Sequence, residues 1–501
     1  MTPTDEQAQA IALFVQGQDL KIEALAGTGK TTLLHMLASE AARQGRRMLY
    51  TSFGRQAILD ARQRFAMLPG VHVSTNHALA YRAKGAALQK QGRLVPRMEP
   101  DRIARQLGWH EGHFPAEVGS VRRGAYLVLR TLAQYLHSDA FGVALEHALP
   151  VIATEMPAHA GDEALAQALA ERAEQLWFAV CEDDSQIAVT HDVYLKLWAL
   201  EEPRLDYDII LLDEAQDSSG LLVGLLARQE HAQRVICGDR WQQIYGFRGA
   251  INAMDRFSDA PTATLTQSFR FGPAIAGAAN AVLAQHLGAT KQIVGRSAVP
   301  DALAQTSRAD AIISRTNATN ITALVQAQMR DPWADYAVIG GTTAMLKALD
   351  AVDELMRGRP AQHPEFAGLM DWHHACEEAK KPMYRHLSPL VRLVDTHGIA
   401  TLKEHLKAAA GNENHIERCA SIFVTAHKAK GLEWPSVQLT DDFRWPDPDG
   451  EGGPWTDEEG RLLYVAMTRA KANLDIQHCR AAQHALEDTA AVRAQQEDLA
   501  F

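Results

Sequence analysis

An apolar strand pattern, Leu20 to Leu25, runs into Ala24-Leu25-Ala26-Gly27-Thr28-Gly29-Lys30-Thr31, and this junction constrains the fold more than any other feature of the 501-residue chain. A strand that ends in a glycine-rich turn and continues as a helix gathers backbone N–H groups at one point, a cradle for phosphate. There Lys30 reaches the β and γ phosphates and the Thr31 hydroxyl holds Mg2+. Gly27 and Gly29 stand where backbone must approach phosphate closely; the strict pattern also asks for Gly at the first position, where this chain has Ala24. A second strand pattern, Tyr207 to Leu212, ends in Asp213-Glu214-Ala215-Gln216-Asp217. Carboxylates at the end of a buried strand beside a phosphate loop suit two tasks. Asp213 binds Mg2+ through water, and Glu214 takes the proton from the attacking water. Acids after a strand also start ordinary helices, so the pairing with the loop carries the catalytic reading. Both patterns predict parallel α/β architecture and a P-loop chain that hydrolyses a nucleoside triphosphate, with the use of the energy open.

Length allows about three to five domains. The longest apolar runs, Ile209 to Leu212 and Leu221 to Ala227, fall far short of the ~18 residues that span a bilayer, so no membrane partner and a cytoplasmic protein are expected. Cysteines 181, 237, 376, 419 and 479 form no Cys-x-x-Cys pair and are expected to be reduced and mostly buried. Asp371-Trp372-His373-His374-Ala375-Cys376 lacks the spaced ligands of a zinc site. The net charge of −11 hides an asymmetry: residues 41 to 100 carry eleven basic side chains against two acidic, whereas 441 to 460 carry eight acids against Arg444 alone. The first stretch can face phosphate or be a solvated helix face; the second, with its prolines, reads as a solvated loop. A mainly helical, Ala-rich stretch follows about residue 82, with a break expected at Pro150 to Pro157, and helical pattern returns at Glu458 to Ala472.

Further segments name the use of the energy. Gly238-Asp239-Arg240-Trp241-Gln242-Gln243-Ile244-Tyr245-Gly246-Phe247-Arg248-Gly249-Ala250 and Leu265-Thr266-Gln267-Ser268-Phe269-Arg270-Phe271-Gly272 are followed by Thr425-Ala426-His427-Lys428-Ala429-Lys430-Gly431-Leu432-Glu433-Trp434 and Leu463-Tyr464-Val465-Ala466-Met467-Thr468-Arg469-Ala470-Lys471. Thr190 to Trp198 and Ser314-Arg315-Thr316-Asn317 belong to the same series. So ordered a set resembles the UvrD/Rep family of superfamily 1 DNA helicases, and within it the F-box DNA helicases most of all, over residues 1 to 80, about 190 to 340 and 418 to 480.

The resemblance implies two RecA-like motor domains with parallel sheets, each interrupted by a mainly helical insertion: 1–81 with 187–260, insertion 82–186; 261–342 with 418–501, insertion 343–417. It implies that Gln242 touches the γ-phosphate and that Arg270 and Arg469 act as arginine fingers, although each arginine can also be read as a salt-bridge partner. ATP is held by Ala26, Gly27, Thr28, Gly29, Lys30, Thr31 and Thr32, by Phe269 on the base, by Glu433 at the ribose and by Gln7 at the adenine edge. Thr4-x-x-Gln7 is also a helix capping box, so Gln7 has two readings. For DNA the implied contacts are Phe53, Arg55, Thr75, His77, Tyr245, Phe247, Arg248, His427 and Lys430. Tyr245 and Phe247 stack on bases or serve as core aromatics. After Phe53 the family's Asn-Lys is Gly54-Arg55, which keeps the charge and alters the geometry.

Together these imply an ATP- and Mg2+-dependent motor moving 3′ to 5′ on single-stranded DNA or tailed and forked duplexes, serving repair or recombination, a monomer with a protein loading partner as an option. The alternatives are a DNA-stimulated ATPase that remodels protein–DNA complexes without separating strands, and an RNA-directed motor. No F-box precedes Gln7, so the ubiquitin-ligase connection of the eukaryotic members is not expected, and no nuclease motif follows Lys471. The short 343–417 segment makes translocation a firmer expectation than duplex unwinding.

Overall fold

The computed structural model describes residues 2–52, 54–246, 249–296, 298–361, 363, 366, 369–380, 387–412, 415–446 and 455–487, without the side chains of Arg55 and Gln56. The chain forms two compact units, one comprising residues up to Ala24 with Lys30–Leu265, the other Leu25–Gly29 with the residues from Thr266 onward.

In the first unit a six-stranded, wholly parallel sheet has the spatial order Val71–Val73, Met48–Ser52, Ile209–Asp213, Gln233–Gly238, Leu20–Ala24, Thr262–Leu265. Met48–Ser52 and Ile209–Asp213 are buried at every residue, the pattern of strands covered on both faces. On one face the helix Lys30–Arg43 buries Leu33, Leu34, Leu37, Ala38 and Ala41, a helical stripe that meets Ile22 and Leu211. On the other, the helices His191–Leu200 and Gly220–Ala227 pack on Ile210, Leu212 and Ile236. Each such buried aliphatic side chain contributes ~1.5–3 kcal/mol. Because the strands are parallel, Ala24, Ser52, Asp213 and Gly238 all end at one edge, where ligands of open α/β sheets bind. The second strand is shifted from its predicted span: Asp213 is its last residue, in register with Ser52.

The helices Val121–His137, Leu145–Glu155 and Glu163–Cys181 have a core of their own, with Tyr135 and Trp177 edge to face at 5.2 Å. The chain passes into and out of this bundle through a bridge between Leu94 and Val189, and buried Arg93 locks it by donating to the carbonyls of Ile187 (3.0 Å) and Val180 (2.8 Å). The break expected at Pro150 to Pro157 falls at the far end of that span. Pro150 is inside a helix that runs to Glu155, and it is Met156, before Pro157, that leaves helical conformation.

The second unit holds a five-stranded parallel sheet in the order Tyr336–Val338, Ser421–Thr425, Ala311–Ser314, Trp434–Leu439, Ala470–Asp475. The helical pattern expected from Glu458 to Ala472 is corrected. The helix is Asp457–Met467, closed by the Thr468 hydroxyl on the carbonyls of Tyr464 and Val465, and Ala470–Asp475 is a strand beside Trp434–Leu439. Helices Thr343–Met356, Ser388–His397 and Ile399–Ala410 share one core with Leu324, Val325, Tyr336 and Phe423.

Two surface expectations also change. Only Cys237 and Cys479 are buried; Cys376 and Cys419 are half-buried and Cys181 is exposed. The acidic stretch is not all solvated loop. Asp442 accepts from the backbone of Arg315 (2.9 Å) and Thr316 (2.8 Å), Glu459 pairs with Arg315, and Asp447–Pro454 lies outside the described residues. Among the described residues no helix is long and apolar enough to cross a membrane.

Candidate nucleotide site and nucleic-acid edge

At the carboxyl edge of the first sheet Lys30, the first residue of its helix, meets the end of Ile209–Asp213. Its Nζ lies 3.2 Å from Asp213 Oδ1 and also donates to Glu214 Oε1. Burial alone would lower the Lys30 pKa; Asp213 and Glu214 more than reverse this and hold it well above the ordinary value. Asp213 further accepts from the Tyr50 hydroxyl (2.5 Å) and the Glu214 backbone N–H (2.9 Å). Burial and the Asp213 charge push the Tyr50 phenol up, so it stays a neutral donor. Glu214 has left-handed backbone (φ 54°, ψ 42°), a strained conformation for a non-glycine residue and of the kind that clusters at reactive positions. Asp239, just past Gly238, accepts from Gln242 Nε2 (2.7 Å). Thr31 is exposed in the first helical turn. A hydroxyl and a buried carboxylate are the hard oxygen donors Mg2+ takes alongside water and phosphate, so the residues present fit that ion.

Gly27 and Gly29 adopt left-handed φ (75° and 77°), which the loop requires. In the second unit the Gly27 carbonyl accepts from Phe269 N (2.7 Å), a Cβ at 27 would lie 2.7 Å from Arg270 Cβ, and Ala26 N donates to the Tyr464 hydroxyl (3.1 Å). Thr28 closes the turn on the Leu25 carbonyl (2.7 Å), and Thr32 is half-buried. Arg270, Glu433 and Arg469 gather at the amino ends of Trp434–Leu439 and Ala470–Asp475. Arg270 donates to Glu433 Oε2 (2.7 Å) and the Thr468 carbonyl (2.8 Å), and Lys471 lies 3.4 Å from Glu433. Burial would raise the Glu433 pKa, but Arg270 and Lys471 lower it below the ordinary value. Arg469 is 2% exposed and donates to the carbonyls of Val465 (2.9 Å) and Leu432 (3.2 Å) and to the Thr468 hydroxyl (3.1 Å). One face of Phe269 carries the Arg296 guanidinium at 5.6 Å. Gln7 forms the capping box in full: its side chain accepts from Thr4 N while Thr4 accepts from Gln7 N.

The expected DNA contacts divide. Phe53, Phe247, Arg248 and the Arg55 side chain lie outside the described residues. Thr75 and His77 come together in a cavity of about 370 Å3, lined also by Ser52, Ile58, Leu59, Arg62, Asn76 and Leu222. Thr75 caps the helix Asn76–Ala80, and His77 Nε2 sits 3.1 Å from Asp192. Sequence reasoning missed Ser52, whose buried hydroxyl has no hydrogen-bond partner among the described residues, and did not single out Arg62. The available signals were a serine ending a buried strand and an arginine in the basic stretch. That stretch is not one face: Arg43 pairs with Glu40, Arg47 with Asp206, Lys84 with Glu201, and Arg93 is interior. Tyr245 is half-buried near the short antiparallel pair Ser218–Ser219 and Ala250–Ile251. His427 follows the carboxyl end of Ser421–Thr425, opposite the edge that holds Arg270 and Glu433, and Lys430 is half-buried beyond it.

Residues 3–260 match the family model described as the UvrD/REP helicase N-terminal domain, and residues 365–481 match that of the UvrD-like helicase C-terminal domain. F-box DNA helicase protein 1 of Schizosaccharomyces pombe is 30% identical over 531 residues, covering 97% of this chain and 58% of the relative. F-box DNA helicase 1 of Gallus gallus is 28% identical over 513 residues, covering 93% and 48%. The chain thus spans about half the length of the curated relatives it matches.

Proposed function

Because the chain belongs to the UvrD/REP helicase family, we propose that it is an ATP-driven motor that travels 3′ to 5′ on single-stranded DNA and acts in DNA repair or recombination. The observation that carries this reading is the array Lys30, Asp213 and Glu214 at the sheet edge where Thr75 and His77 line a polar cavity. When ATP binds, Lys30 exchanges its carboxylate partners for the β and γ phosphates. Thr31 and Asp213 would hold Mg2+, which when bound would supply neutralising charge for the phosphates. Glu214, released from Lys30, accepts the proton of the attacking water, and Gln242 senses the γ-phosphate. Ala26 to Thr32 cradle the triphosphate, Gln7 and Phe269 take the adenine, Glu433 the ribose, and Arg270 and Arg469 neutralise charge that develops in transfer. The two motor domains are 1–81 with 187–260 and 261–342 with 418–501, and closure on ATP followed by reopening moves the strand past Phe53, Arg55, Thr75, His77, Tyr245, Phe247, Arg248, His427 and Lys430. The chain acts as a cytoplasmic monomer, loaded by a partner where one is needed. The names of its relatives favour DNA over RNA.

One observation favours the second reading, a remodeller that translocates without separating strands. Among the described residues, the helices of 343–417 share a core with the second sheet rather than forming a separate body. Duplexes with a 3′ or a 5′ single-stranded tail discriminate. Release of the strand from the 3′-tailed duplex alone supports the helicase; displacement of bound protein without strand release supports the remodeller; release from the 5′-tailed duplex alone refutes the polarity.

A further inference from the structure

Gln216 is wholly buried two residues past Glu214, in the short helical turn Ala215–Asp217. Its Nε2 donates to Glu214 Oε2 (2.7 Å) and its Oε1 accepts from the Asp239 backbone N–H (3.1 Å). Only this orientation of the amide serves both partners, since a carboxylate can only accept and an N–H only donate. Asp239 in turn accepts from Gln242 Nε2 (2.7 Å) and from Trp241 N (3.1 Å). An unbroken line of hydrogen bonds therefore runs Glu214, Gln216, Asp239, Gln242. The backbone makes room for it: a Cβ at Gly238 would fall on Gln216 Oε1.

We propose that Gln216 is a positioning residue that fixes the plane of the Glu214 carboxylate and ties it, through Asp239, to Gln242. The inference rests on the proposed roles of Glu214 and Gln242 and adds how they act together. Lys30 holds one Glu214 oxygen and Gln216 the other. When Lys30 turns to phosphate, the bond from Gln216 keeps the carboxylate aimed, and any shift of Gln242 is transmitted along the line to the proton acceptor.

The test compares Gln216→Met, Gln216→Glu, Gly238→Ala and Glu214→Gln by DNA-stimulated kcat from pH 6 to 8.5 and by the Kd of a fluorescent ATP analogue. Gln216→Met fills the space without the hydrogen bonds; kcat falls about 10- to 100-fold with Kd altered less than about threefold, the loss expected when an acid–base group is mis-aimed. Gly238→Ala, which displaces the Gln216 carbonyl, lowers kcat in the same way. Gln216→Glu restores both a donor and an acceptor only when its carboxyl is protonated, so its kcat relative to the unaltered protein rises as pH falls. A Gln216→Met kcat within twofold of the unaltered protein overturns the proposal, as does a Gln216→Glu ratio that does not change with pH. Should Gln216→Met fail to bind nucleotide, the pH ratio of Gln216→Glu decides alone. If Glu214→Gln still hydrolyses ATP, the base assignment itself has failed; if it is inactive while Gln216→Met is normal, only the relay has.

Discussion

At the scale of single residues, Arg270 and Arg469 stand at the same sheet edge in different surroundings, Arg270 donating to the Glu433 carboxylate and Arg469 buried against carbonyls. Lys30, Asp213 and Glu214 could be paired from two strand ends, and the parallel sheet brings them within salt-bridge distance. The burial of Arg469 could not be read, because its partners include two carbonyls, one a helical turn back at Val465 and one across strands at Leu432. This separates the two arginines. Arg270→Ala should lower kcat by ~10³-fold or more, as loss of an arginine finger does, with the melting temperature nearly unchanged. Arg469→Ala should lose activity and also ~1–3 kcal/mol of stability, the cost of a buried carbonyl left without a donor. Kinetics beside thermal melts check both, and equal melting temperatures for the two variants would contradict the distinction. Lys30→Ala should weaken nucleotide binding and turnover together.

At the scale of elements, periodicity identified strand and helix types but not their ends. The helix before Thr468 stops because a threonine hydroxyl and a neighbouring strand capture the next residues, a tertiary competition that local pattern does not encode. Attachment of the helical bundle to the first sheet was equally hidden. Lys196, fully buried, donates to the carbonyls of Ser138 (2.8 Å) and Ala140 (2.6 Å) and lies 4.1 Å over the Tyr135 ring. Lys196→Met should therefore cost ~2–3 kcal/mol, read as a shift of the urea midpoint. Asp192 bridges His77 and His137, from two further helices. Burial would raise its pKa, but the two histidines hold the carboxyl well below its usual range. A depressed carboxyl pKa gives stability that is present above about pH 4 and lost as pH falls below it. The melting temperature of Asp192→Asn should accordingly fall less steeply on the acid side than that of the unaltered protein.

At the scale of the whole molecule, a net charge of −11 is compatible with the proposed DNA motor, because the proposed contacts need only a local excess of positive charge. Family membership was legible from the order of the motifs; the small polar cavity at Ser52, Arg62, Thr75 and His77 needed the fold, since it joins two strand ends and a helix face. Tyr245→Ala should keep basal hydrolysis and lose most of its stimulation by DNA, a stacking contact being worth ~1–3 kcal/mol per base. The central claim, that hydrolysis at Lys30 and Glu214 is driven by a DNA strand, is tested most directly by steady-state ATP hydrolysis with and without single-stranded DNA, across salt, beside Glu214→Gln. Strong stimulation that fades with salt and disappears in the variant is the predicted result. Hydrolysis indifferent to DNA, or a Glu214→Gln protein that turns over normally, would contradict it.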